Sequence, residues 1–143
     1  MVSRSVLKLL IAAFLSLAPP VRAVGIATTY WPGDGHSGKT LGCVSEARRL
    51  LGSAEFRPGL PVIATRDAPR CGTLVDVENV RTGARTLTIR ADSGPWGCFW
   101  PDGSRTVERD CKGGRRAAIA DLTRRVAREI GARGHERVRL RWY

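Results

Sequence analysis

Arg85-Thr86-Leu87-Thr88-Ile89-Arg90-Ala91-Asp92-Ser93-Gly94-Pro95-Trp96 is the stretch on which the fold is read. Residues 85–92 alternate, with Leu87, Ile89 and Ala91 on one face and Thr86, Thr88, Arg90 and Asp92 on the other, the period of a half-buried β-strand. The apolar face is expected to be the buried one, so that Asp92 projects from the polar face. Gly94-Pro95 then limits where the backbone can go, because proline fixes φ and offers no N–H to a sheet. Asp92 is therefore expected at a sheet rim, where binding and catalytic groups are commonly displayed. After an insertion, Ile119-Ala120-Asp121-Leu122-Thr123 supplies a second carboxylate, read as standing just ahead of a helix.

The elements around this strand follow from period and punctuation. Residues 24–31 are β-branched, small or aromatic and end at Pro32-Gly33-Asp34-Gly35, which reads as a strand and a loop. Residues 45–51 read as a short helix capped by Ser45 and ended by Gly52, with Leu50 and Leu51 toward the core. Residues 60–65 and 73–79 read as strands, and Gly83 supplies the turn into residues 85–92. Leu122, Val126 and Ile130 recur at helical spacing beneath Arg124, Arg125 and Arg128, giving an amphipathic helix over 123–130 ended by Gly131. Val138, Leu140 and Trp142 alternate with Arg137, Arg139 and Arg141 in a last strand. This order indicates a mainly β fold, a small barrel with one or two short helices, whose closure removes exposed strand edges.

The chain has 143 residues and a formal charge of +11. Arg4 and Lys8 precede an apolar run from Leu9 to Ala18, and small residues Val21 and Ala23 follow, the layout of an export signal cut after Ala23. That run is about half of the roughly 20 residues that a spanning helix needs. The division expected is a signal peptide at 1–23 and one domain at 24–143, secreted or periplasmic, monomeric and without a membrane anchor after cleavage. Losing Arg4, Lys8 and Arg22 still leaves a basic domain, which favours anionic partners. No helix-turn-helix, zinc-finger or RNA-binding signature is present, so nucleic acid is set aside in favour of an envelope polymer.

Cys43, Cys71, Cys98 and Cys111 are an even set in a small exported chain and point to disulfides. Of three pairings, Cys98 with Cys111 is favoured because it closes the insertion, leaving Cys43 with Cys71. There is no Cys-x-x-Cys, and His36 and His135 lie far from any cysteine pair, so neither a metal nor another cofactor is expected. Tyr30, Trp96 and Trp100, with Trp31 and Phe99 beside them, have flat faces that either cover a sugar ring or fill the core of their own loop. Arg90 stands about 7 Å before Asp92 on one strand face and is a candidate substrate-binding cation.

Several of these stretches match one known family. Gly25-Ile26-Ala27-Thr28-Thr29-Tyr30, Gly38-Lys39-Thr40, Gly72-Thr73-Leu74-Val75-Asp76-Val77-Glu78-Asn79, Ala91-Asp92-Ser93-Gly94-Pro95 and residues 119–123 follow one another as in the RlpA-like double-psi β-barrel domain, which the chain resembles over most of residues 24–131. Expansins and barwin-like proteins are relatives of that family. The resemblance implies a six-stranded double-psi β-barrel that engages peptidoglycan or another polysaccharide. In catalytic members it implies lytic transglycosylase activity, with Asp92 matching the catalytic aspartate and Asp121 a second aspartate beside the groove. Four departures point instead to a non-catalytic carbohydrate-binding or wall-loosening module. The family histidine is missing near Ala64-Thr65-Arg66-Asp67, and Cys43 follows Gly42 where a glutamate is expected. Ser93 replaces an arginine, and the insertion from Cys98 to Cys111 has no counterpart. Asp67 is a reserve candidate for a second carboxylate.

Overall fold

A computed structural model describes residues 18–29, 39–94, 98–99, 105–106 and 116–143. Their order is β1 (Val21–Thr29), α1 (Val44–Leu51), β2 (Val62–Thr65), β3 (Leu74–Asn79), β4 (Arg85–Ser93), β5 (Cys98–Phe99), β6 (Arg105–Thr106), β7 (Arg116–Ala117), β8 (Ala120–Leu122), α2 (Arg124–Glu129) and β9 (Glu136–Arg141). Six strands close a barrel in the order β1-β8-β2-β4-β3-β9, and β6-β5-β7 form a separate small sheet. The mainly β barrel with two short helices is thus the architecture expected. Pairs β1–β8 and β2–β4 are parallel, and the other four barrel seams are antiparallel.

Two apolar cores sit on opposite sides of the barrel wall. Ala27, Ile63, Val75, Val77, Ala120, Leu122, Val138 and Leu140 fill the interior, and α2 adds Val126, Ala127 and Ile130. Each fully buried valine, leucine or isoleucine among these contributes about 1.5–3 kcal/mol relative to exposure. Outside the wall, Val62, Ala64 and Ala91 pack with Leu41, Ala47, Ala54 and Phe56, so that α1 and its flanks cover the outer surface of β2 and β4. The Cys43–Cys71 disulfide fastens the start of α1 to the turn before β3. That pairing is the one expected; the side chains of Cys98 and Cys111 lie outside the described residues.

Strand β4 corrects the expected facing. Its alternation is real, but Thr88 and Arg90 are buried while Leu87 is 57% exposed. The β3–β4 hairpin sets this sense: Val75 and Val77, which point inward, pair with Thr88 and Thr86, and outward Leu74 and Asp76 pair with Ile89 and Leu87. A hairpin's loop fixes its register, and a shift of one residue would turn every side chain over. Here Gly83, at φ 72°, closes the turn. Thr88 is tolerated inside because its hydroxyl donates to the Val75 carbonyl at 2.8 Å.

The helices differ in detail from expectation. Residue Cys43, not Ser45, occupies the N-cap of α1 without a side-chain cap bond, and Leu50 is 40% exposed rather than buried. Gly52 ends that helix in the left-handed region, as expected. In α2 the cap is Thr123, whose hydroxyl oxygen accepts from the Val126 N–H. Residues 120–122, read from sequence as the approach to a helix, form strand β8 instead, because β1 and β2 offer them ladders on both sides.

Candidate functional site

The register of three strands places the two aspartates in one row. Ala64 of β2 pairs with Asp92 of β4 on one side and with Asp121 of β8 on the other, and Asp121 also pairs with Thr28 of β1. Residues directly opposite on neighbouring strands share a face. The row Asp92–Ala64–Asp121–Thr28 therefore runs across the outer surface of the barrel. Adjacent strands lie about 4.8 Å apart, so the two aspartates stand about 9–10 Å apart at the backbone, with one small side chain between them. Both are half-buried, and Ala64 is fully buried.

A bulge puts Asp92 in that row. The β2–β4 register shifts between Ile63 and Ala64, so Ala91 and Asp92 together oppose Ala64. The extra residue turns Asp92 to the outer side, whereas uninterrupted alternation from buried Arg90 and covered Ala91 would have returned it to the interior. Its Oδ1 then accepts the Gly42 N–H at 2.7 Å and the Ser93 N–H at 2.9 Å. One bond is made within its own turn and the other spans 50 residues.

Gly42 meets Asp92 closely enough to exclude a side chain. A Cβ there would lie 2.9 Å from Asp92 Oδ1. The following Cys43 N–H donates to the Ala91 carbonyl at 3.0 Å, which completes the seam between residues 42–43 and 91–92. Gly42 is a site residue that sequence reasoning missed, since its signal is a contact with a residue 50 positions away. Thr28 was missed likewise. Its hydroxyl donates to Asp121 Oδ1 at 2.9 Å, so β1 orients the second carboxylate. Asp121 is accordingly a strand residue, and the helix cap falls to Thr123.

Arg90 occupies a different place from the exposed one expected. It is 6% exposed and lies on the inner side of β4. Its Nε donates to Thr65 Oγ1 at 3.1 Å, Nη1 to Cys71 Sγ at 3.0 Å, and Nη2 to the Thr65 carbonyl and Ser93 Oγ, each at 3.1 Å. A buried guanidinium is tolerable when its donors are matched. Arg90 thus ties the end of β2, the disulfide and the turn after Asp92 into one unit, a supporting role rather than the substrate contact expected. The exposed Asp67 lies beyond the end of β2, off the row.

Tyr30, Trp96 and Trp100 lie outside the described residues, as do Trp31 and His36. Among the described residues, no group of histidine, cysteine, aspartate and glutamate is arranged to hold a metal ion, and no helix is long and apolar enough to cross a membrane. A scan against protein-family models finds no match, and a search of curated proteins finds no significant relative.

Proposed function

We propose that the protein is an exported, cell-envelope protein that engages peptidoglycan glycan strands through the Asp92–Asp121 row. The observation that supports this most is the shared register partner Ala64, which brings two carboxylates from strands far apart in sequence onto one surface. The resemblance of residues 24–131 to the RlpA-like domain supplies the substrate class and matches these same two aspartates to the family's groove.

In the catalytic form of this reading, Asp92 serves as both acid and base. Its proton goes to the glycosidic oxygen as the C1–O bond breaks, and the sugar's own C6 hydroxyl closes on C1. The C6 hydroxyl proton then returns to Asp92, so that the product carries a 1,6-anhydro end and no water is consumed. Asp121, fixed by Thr28, stands across Ala64 where it can orient a sugar hydroxyl or face developing positive charge.

A second reading, a binding or wall-loosening module without turnover, draws on the tight engagement of Asp92 by Gly42 and Ser93. Product analysis separates the two. Peptidoglycan stripped of stem peptides is incubated with the protein and with Asp92→Asn, and 1,6-anhydro ends are counted by mass spectrometry. Transglycosylase action predicts anhydro ends from the parent and a loss of about a hundredfold or more in the variant. Anhydro ends that persist in the variant would remove Asp92 as the catalyst; none from either protein, with glycan still bound, favours the module.

A further inference from the structure

A second candidate site, sharing no residue with the carboxylate row, is an open cleft of about 460 Å³ between Pro58-Gly59 and α2. Its walls are fixed to each other. The Arg125 N–H donates to the Pro58 carbonyl at 3.0 Å, and Arg125 Nη1 reaches the Gly59 carbonyl at 3.3 Å. The cleft's own carboxylate is already occupied, for Glu129 pairs with Arg125 at 2.9 Å and accepts the Thr86 hydroxyl.

What remains in the cleft, among the described residues, is positive charge. Arg124 and Arg128 line the cleft, are exposed, and form no ion pair among the described residues. They stand four apart on one helix, so their Cβ atoms are about 6 Å from each other on the same face. Arg57, exposed beside Pro58, adds to the same field. The first-turn amides of α2 do not supply the site, since the Val126 and Arg125 N–H groups are taken by Thr123 and Pro58. Two guanidinium groups one helical turn apart can each take a carboxylate or phosphate group, and so can hold two neighbouring charges of one chain.

We infer that this cleft binds an anionic polymer, with Arg124 and Arg128 taking neighbouring carboxylate or phosphate groups. Its lining shares no residue with the carboxylate row. Its role is to hold a charged strand on the barrel.

Calorimetric titration with polygalacturonate and, separately, with inorganic polyphosphate tests it and distinguishes the two sources of charge. At least one polymer is expected to bind the parent protein, with an affinity that falls as salt rises. Arg124→Gln/Arg128→Gln is expected to weaken that binding about tenfold or more. Arg133→Gln/Arg137→Gln removes the same charge from exposed positions elsewhere, and should change it less than about twofold. Equal losses in the two double variants would assign binding to diffuse charge and overturn the site, as would failure of both polymers to bind. Thermal melting checks that both variants fold.

Discussion

Gly42 has no side chain because Asp92 takes the space that one would need. Gly59 offers the contrast, since a Cβ there would meet nothing within 4 Å. Gly42→Ala is therefore expected to cost about 1–3 kcal/mol in urea unfolding, while Gly59→Ala stays within about 0.5 kcal/mol. Asp92 itself was legible as the aspartate ahead of Ser93-Gly94-Pro95, because turn chemistry is local. Its N–H donor from Gly42 was not, and neither was the pairing of Thr28 with Asp121. Both are contacts that only closure of the barrel creates. Arg90 shows the converse limit: an arginine in an alternating strand reads as exposed, and only the Thr65, Cys71 and Ser93 acceptors make its burial tolerable.

Elements that carry their own punctuation were legible to within a residue or two. Gly52 after α1 and Gly131 after α2 marked helix ends, and the alternation of β4 and β9 marked strands. Period alone reveals which residues share a face, not which face is covered, and so β4 turned out inverted. Strand β8 was missed because three residues are too few to show a period; its identity comes from ladders with β1 and β2. Thr123 links that strand to α2 with two bonds, its oxygen accepting from Val126 and its hydroxyl donating to the Leu60 carbonyl at 2.6 Å. Thr123→Ala should lower stability by about 1–2 kcal/mol, measured by chemical denaturation, because a buried cap and a half-buried carbonyl lose their partner together.

For the molecule as a whole, the basic composition is organised by ion pairs on the barrel's outer surface. Asp76 pairs with Arg85 and Arg141, and Glu78 with Arg139 and Arg141, across β4, β3 and β9. Near one end, Arg81 bonds Glu136, which also accepts the Arg133 N–H at 3.0 Å. The hydrogen bond from Arg81 holds the Glu136 carboxyl below its ordinary value of 4.5, against the opposing effect of burial. Glu129 is held low as well, first by Thr86 and then by Arg125. A carboxyl with a lowered folded pKa adds stability above its unfolded pKa and loses it as pH falls through the folded value. Melting temperature is thus expected to hold from neutrality down to about pH 4.5 and to fall below it. Glu136→Gln should cost about 1–2 kcal/mol at neutral pH and flatten that acid limb, as read by calorimetry across pH.

A different part of the barrel's outer surface, across β4, β2, β8 and β1, bears the central claim, that the Asp92–Asp121 row is the face presented to glycan. Amide chemical shifts of isotopically labelled protein, followed while soluble peptidoglycan glycan fragments are titrated in, test it most directly. Shifts concentrated at Gly42, Ala64, Asp92, Ser93 and Asp121, with Glu78 and Arg139 on the ion-paired surface unmoved, are the predicted result. Saturating shifts confined to the ion-paired surface, or none at any glycan concentration, would contradict it.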